Sequence, residues 1–529
     1  MGKKEEDSKG FAITCAQGIQ SPSSAKKYNL GERDLKAGAP HEGFLNAFDR
    51  FCEHTGRNSI IQSVNGSSVY EIEAHEDLRK RDDFYIDSPR LRRLLSQRQK
   101  EREQRKKTEE WNLNHPNKEP REPSMHFFWE DIPSKVYKTL DDLVLHKKIT
   151  LSRPRVPSQN DNPLSGQRDL CHDFYGTSVI IPHPKQRFEA VPKDVGGKLP
   201  RLIATTGACT YPNYNITNDR GDKANRRHQI GFCIADILDK HTYLIRLVPA
   251  APDGSFVDLG VLYGAEKDPK RARTKALILG DIHVPFQDPL SMKASYEQIE
   301  KLKPEEIYLH DLITFNSIAH HNLDDFLQQV WLTEMGGDFD DLKTEVYKGF
   351  LQLREIAEIA GNSTVYVVPS NHDMFLHKWL AQGADRKDRK NARFGSEIFS
   401  RYHQGDSVLE IALNLVGKIP KNVVFLKLTD DKRPFGYECS CHGHQGINGS
   451  KGSLDSFRVS YGKGVMGHTH RLEVQGRAIS VGTNSIIPME YQRGQPSQSM
   501  HGNAAIYELK PGYGLAQAIP IIRGKWKAK

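Results

Sequence analysis

The chain has 529 residues, too many for one hydrophobic core, and no apolar run approaches the ~20 residues of a membrane span, so two to four folded units and no membrane helix are expected. Its seven cysteines are scattered without repeated CxxC pairs, which argues against a disulfide framework and against a structural zinc module. The net charge of +8 is modest but unevenly placed, because Arg79 to Lys107 holds twelve Lys/Arg against five Asp/Glu.

Residues 1–40 are rich in Lys, Ser and Gly and read as a flexible N-terminus. The opening MGKKEEDSKG has neither the apolar segment of a secretory signal nor the hydroxyl of a myristoylation motif, which predicts a cytoplasmic protein. Residues 41–150 read as a helical, basic region. Phe44, Phe48, Phe51 and Cys52 recur at helical spacing, and the break at Thr55-Gly56 predicts two short helices joined by a turn. The charge run Arg90–Lys107 predicts a further helix, and NHPNKEPREPS after it reads as a linker. That run is either a solvated helix face or a contact to a phosphate backbone, with Arg90, Arg92 and Arg93 as its DNA-binding candidates.

Between 151 and 270 the segments TSVIIPH, RLIATT and TYLIRLV, separated by Gly, Pro, Asn and Asp, predict a small β-rich or α+β domain. Its YPNYN and NDRGDKANRRH mix aromatics with cations, and are either an ordinary exposed loop or a surface for stacking and phosphate contact on a single strand. From 271 to 529 strands and helices alternate. Ala276–Leu279, Glu306–Leu309, Val365–Val368, Tyr437–Ser440 and Gly464–Met466 are predicted strands, with helices over Leu290–Leu302 and Asp341–Ile359. AISVGTNS and AAIYELK then add late strands without a crossover helix, so an α/β domain whose sheet system ends antiparallel is expected.

The heptapeptide GDIHVPF follows the first of these strands and puts Asp281 and His283 two residues apart, where extended chain turns both to one side. The pair is either a turn with a capping Asp or two donors for one cation. Four more segment ends carry the same chemistry: YLHD with Asp311, VVPSNHD with Asn371 and His372, ECSCHGHQG with His442 and His444, and VMGHTH with His468 and His470. Ligands of an open sheet collect where the carboxyl ends of its strands emerge.

The ordered set Asp281-Ile282-His283, Asp311, Asn371-His372, His442 and Gly467-His468-Thr469-His470 resembles the calcineurin-like metallophosphoesterases, including the SbcD-type DNA nucleases. The resemblance covers about residues 274–510 and departs at two places, where His310 and Ser370 replace the usual glycines before Asp311 and Asn371. It implies a β-sandwich flanked by helices, and a DNA nuclease whose metal-activated hydroxide hydrolyses phosphodiesters. Asp281, His283, Asp311 and His470 would hold one divalent ion, and Asp311, Asn371, His442 and His468 another. It implies that His372 faces the substrate as a catalytic residue, with Asp373 orienting it. A donor set of imidazole and oxygen without thiolate suits Mn²⁺, Fe or Zn²⁺ better than Mg²⁺. Family usage points to Mn²⁺. The relatives pair beside the site, so a homo-oligomer is expected, with DNA as the other partner. The extended N-terminal half and the motif Ser370-Asn371-His372-Asp373 further resemble early phage nucleases that degrade the host chromosome, which would place the protein in the host cytoplasm. The alternatives are a phosphatase or cyclic-nucleotide phosphodiesterase with a regulatory N-terminal half, and a non-catalytic binding protein on the same scaffold.

Overall fold

The structure, a computed structural model, describes residues 10–17, 40–64, 137–139, 142–174, 176–192, 200–214, 216–265, 268–319, 340–383, 386–489 and 494–528, with isolated positions between 107 and 116 and between 327 and 334. It is a mixed α/β fold. A six-stranded sheet runs in the order Val423–Phe425, Thr364–Val367, Glu306–Leu309, Arg273–Ile278, Gly502–Lys510, Tyr513–Pro520. The first four strands are parallel and the last two antiparallel.

Alternation along these strands decides what covers each face. Leu277, Ile307, Leu309 and Val365 turn toward helices Pro289–Leu302, Leu342–Ala360 and Val408–Val416, where they meet Ile299, Leu353 and Leu413. Ala276, Ile278 and Tyr308 turn the other way, onto Phe188, Leu202, Val465 and Ile479 of an eight-stranded sheet. The helices begin where their side chains permit. Asp288 and Asp341 accept the backbone N–H groups of Ser291 and Thr344, and Pro289 occupies the first turn after Asp288.

The eight-stranded sheet runs Gly464–Met466, Ala478–Ser480, Glu473–Gln475, Arg187–Val191, Arg201–Thr205, Ser178–Ile181, Ile149–Leu151, Leu143–His146. It joins strands that precede the six-stranded sheet in sequence to strands that fall between that sheet's own, through the antiparallel pair Val474–Phe188. A five-stranded sheet, Tyr243–Pro249, Gly231–Ile237, Gly10–Ala16, Asn58–Ser63, Tyr137–Thr139, packs on helix Glu42–Thr55 through Phe44, Phe48, Phe51 and Phe232.

Several expectations are corrected here. Within the stretch read as flexible, Gly10–Ala16 is a buried inner strand, because its apolar residues find partners in strands more than forty positions away. Residues 41–150 are not simply helical. Gly56 adopts the left-handed conformation that ends helix Glu42–Thr55, and β-branched Ile60 and Ile61 then continue as a strand rather than a second helix. Tyr437–Ser440 is not a strand; its one ladder contact is an isolated bridge from Glu438 to Gly464. Gly464–Met466 belongs to the eight-stranded sheet, so the candidate donors come from two sheets and not one. The basic stretch with Arg90, Arg92 and Arg93 lies outside the described residues. All seven cysteines are free. Among the described residues no helix is long and apolar enough to cross a membrane.

Candidate metal centre

Asp281 follows strand Arg273–Ile278 by three residues and Asp311 follows Glu306–Leu309 by two, so parallel pairing brings their turns side by side. Gly280 makes this approach feasible, since a Cβ there would lie 2.8 Å from the Gly482 carbonyl oxygen and 2.9 Å from that of Gly502. The turn is clamped by buried amides. Asn503 Oδ1 accepts from Gly280 N at 2.8 Å, and Asn484 Nδ2 donates to the Gly280 carbonyl at 3.1 Å. Ser291, Ser295 and Gln298 on the adjoining helix satisfy the remaining amide atoms. Asp281 is thus held by a hydrogen-bonded frame tied to a helix.

The seven candidate donors come together. Ligand atoms of Asp281, His283, Asp311 and His470 all lie within 4.8 Å of one another, and all four residues are buried. His283 Nε2 faces His470 Nε2 at 2.9 Å, and His470 Nε2 is 3.1 Å from Asp281 Oδ2. A second group adjoins the first. His442 Nε2 is 3.0 Å from Asn371 Oδ1 and 3.1 Å from Asp311 Oδ2, and His468 Nδ1 is 3.1 Å from Asn371 Oδ1. Asp311 Oδ2, which also lies 3.5 Å from His283 Nε2, stands between the groups.

Two observations set this cluster apart from a closed hydrogen-bond network and are compatible with a metal ion. Oδ1 of Asp281 and Oδ1 of Asp311 are buried without a hydrogen bond, and Asp281 Oδ2 meets only the His470 ring, although buried polar atoms are almost always satisfied. Positive φ is found at His283, Asp311, His468 and His470, a conformation that costs non-glycine residues on the order of 1–3 kcal/mol each and persists where the surroundings enforce it. Gly467, just before His468, has no room for a side chain: a Cβ would lie 2.4 Å from Asp281 Oδ1 and 2.9 Å from the His310 ring.

The electrostatics favour the ligating forms for most donors. Burial opposes ionisation of Asp281 and Asp311, but the neighbouring histidines outweigh it and hold both carboxyls below their ordinary range. Burial drives His283 well down and His468 to about 4, leaving neutral imidazoles. His442 is the exception. Burial alone would lower it, but Asp311 beside it raises it to about 9, so a bound cation must displace a proton there.

His372 lies at the rim of the cluster, its ring centroid 4.7 Å from that of His283. Its Nδ1 donates to the Thr314 carbonyl at 2.7 Å, which leaves Nε2 as the other ring nitrogen, not engaged by that bond. Thr314 therefore orients His372, and the assignment of that role to Asp373 is corrected. Asp373 Oδ2 instead accepts from Ser370 N at 2.9 Å, and Ser370 Oγ accepts from Asp373 N at 3.3 Å, a reciprocal pair across the turn that leads into helix Asp373–Ala381. This also gives Ser370 a structural purpose. His444 has its ring centroid 5.7 Å from that of His442. Asn316 and Ser317 give their backbone N–H groups to buried Glu345, while His320 and His321 lie outside the described residues.

His310 was missed as a functional residue. It is buried, and its Nδ1 lies 3.2 Å from Nδ1 of His442, so it fixes that ring with Nε2 turned to Asp311 and Asn371. Burial and the His442 charge push His310 down to about 4, which makes it a neutral acceptor. The signal available in the sequence was its presence where a glycine is usual.

Fold and site together define a mixed α/β protein with a buried Asp/His cluster able to bind a metal ion. Compared with known proteins, the chain is 30% identical over 384 residues to protein A1 of Escherichia phage T5, covering 68% of this chain and 67% of A1. It belongs to the family of that protein. The alignment is longer than the stretch from 271 to 529, so the kinship reaches into residues before the metal centre. No family model and no solved structure match.

Proposed function

We propose that the chain is a metal-dependent phosphodiesterase of the calcineurin-like metallophosphoesterase kind that hydrolyses DNA, serving host-DNA degradation in phage infection. The observation that carries this reading is the pair of donor groups that share Asp311 Oδ2. Kinship with a phage protein supports the biological setting.

Asp281, His283, Asp311 and His470 would hold one ion, and Asp311, Asn371, His442 and His468 the other, with Mn²⁺ favoured over Fe, Zn²⁺ and Mg²⁺. Such ions, when bound, lower the pKa of a water and draw charge from the phosphoryl oxygens. Asp281 and Asp311, already ionised, supply the negative charge that retains them. His310 keeps His442 in its ligating orientation. Hydrolysis forms a bond from water oxygen to phosphorus and breaks the bond to the leaving alkoxide. His372, with Nδ1–H engaged by Thr314, supplies the leaving oxygen with a proton from Nε2. The DNA-contact role of Arg90, Arg92 and Arg93 belongs to the same proposal.

The test is to incubate purified protein and Mn²⁺ with supercoiled DNA, linear duplex, single strand, a phosphomonoester and a cyclic nucleotide in parallel. Cleavage of DNA that Asp311→Ala abolishes is the expected result. Turnover confined to the monoester or the cyclic nucleotide, or none at all, overturns the proposal.

A further inference from the structure

A cavity of about 610 Å³ lies away from the metal centre, where the five-stranded sheet, the turn at Gly476 and strand Tyr513–Pro520 meet. Gly462 and Arg477 at its wall precede strands Gly464–Met466 and Ala478–Ser480, whereas His468 follows the first of these. At least one short strand, roughly 10 Å, therefore separates the two sites.

The cavity wall is strongly cationic. Lys185, Arg187, Arg226, Arg227, Arg458 and Arg477 line it, and the single lining carboxylate among the described residues is Asp161. That carboxylate is already committed, to Arg227 and, at 2.9 Å, to Lys223. Arg187 is 8% exposed, and the hydrogen bond from its guanidinium runs to the Asp161 backbone carbonyl at 3.2 Å, not to a carboxylate. Burial lowers its pKa and the Arg458 guanidinium pushes the same way, so two like charges are held near one another. Arg458 Nη2 meets Asp455 at 3.2 Å, but its Nε is buried with no hydrogen-bond partner among the described residues. Crowded guanidinium groups with buried donors to spare are complementary to phosphate, which accepts several charge-assisted hydrogen bonds at once.

An aromatic element stands beside the charge. Half-buried Tyr211 lines the cavity and stacks on His41, with centroids 4.6 Å apart and planes inclined by 22°. Tyr211, Arg226 and Arg227 come from the segments YPNYN and NDRGDKANRRH, whose mixture of aromatics and cations suits stacking and phosphate contact. The volume falls within the ~300–1,000 Å³ of small-ligand sites.

We infer that this cavity is a nucleotide site separate from the metal centre, binding a 5′-phosphorylated nucleotide either free or as one unit of a single strand. It stands whether or not the metal centre is hydrolytic. The test uses the full chain in EDTA, with dTMP, thymidine, inorganic phosphate and a labelled 5′-phosphorylated oligothymidylate of about eight nucleotides, a length within single-strand site sizes. Arg226→Glu and Arg477→Glu, both at exposed side chains, should each weaken dTMP or oligonucleotide binding at least roughly tenfold and flatten its salt dependence, with unchanged circular dichroism. Asp311→Ala should leave this binding intact. Displacement of the oligonucleotide by dTMP would assign the free nucleotide, and binding of the oligonucleotide without such displacement would assign the strand. Unchanged affinity in the Arg226→Glu/Arg477→Glu double variant overturns the proposal. So does thymidine or inorganic phosphate binding as tightly as dTMP, or loss of binding in Asp311→Ala.

Discussion

Two buried clusters of charge in this protein are built on opposite terms. Beneath the five-stranded sheet, Asp236 accepts from Arg57 at 2.7 and 3.0 Å and from Arg246 at 2.6 Å. Asp258 accepts from Arg246 at 2.7 and 2.6 Å and from Gln517 at 2.9 Å. Every carboxylate oxygen there has a donor. At the candidate metal centre Asp281 Oδ1 and Asp311 Oδ1 have none, and four of the candidate donors take positive φ. The first cluster is closed by the chain's own cations and maintains structure. The second is left open toward a charge the chain does not provide, which is how a binding site differs from a buried ion pair.

The closed cluster should be the costlier to break. Arg246→Ala leaves two carboxylates buried without their shared guanidinium, and urea unfolding should show a loss of about 3–5 kcal/mol. A value below 1 kcal/mol would mean that the cluster is not closed as described.

Glu345 is an intermediate case, since its oxygens accept from Asn316 N, Ser317 N and Ser317 Oγ but meet no cation. Burial raises its pKa from the ordinary 4.5 to about 7. The folded state therefore binds more protons than the unfolded chain between those values. The stabilisation is complete below pH 4.5 and is lost as pH rises through about 7, a swing of roughly 3 kcal/mol. Comparing stability across that window in the parent and Glu345→Gln should show a flatter profile in the variant; parallel profiles would rule the effect out.

The open cluster should respond to its missing charge. Mn²⁺ at a hundredfold excess over Kd should raise the unfolding free energy of metal-free protein by about 2.7 kcal/mol, with no such gain in Asp311→Ala. His310→Ala frees the His442 ring and should weaken Mn²⁺ binding roughly 10–100-fold in a calorimetric titration, the smallest of these effects. Unaltered affinity would make His310 a packing residue.

What the sequence discloses follows a physical divide. Donors such as Asp281-Ile282-His283 and His468-Thr469-His470 are legible because a metal site needs particular atoms at fixed spacing, and short turns keep that spacing local. Asn484, Asn503 and His310 are single polar residues whose partners Ser291, Gly280 and His442 lie 132 to 223 positions away, so nothing beside them signals a role. The role that the resemblance implies for Asp373 does not follow from the local chain, because the turn before helix Asp373–Ala381 links it to Ser370, three residues back. Gly10–Ala16 was hidden by its composition-poor surroundings, and its strand exists only through pairing with Asn58–Ser63 and Gly231–Ile237.

The pairing of Phe188 with Val474 has a consequence for synthesis. On the ribosome, strand Arg187–Val191 is made long before Glu473–Gln475, and at ~5–20 residues per second the wait is on the order of 15–60 s. Throughout that interval the nascent chain carries a bare β-edge in search of a neighbour. Production of this protein is therefore most exposed to chaperone demand and crowding midway through translation.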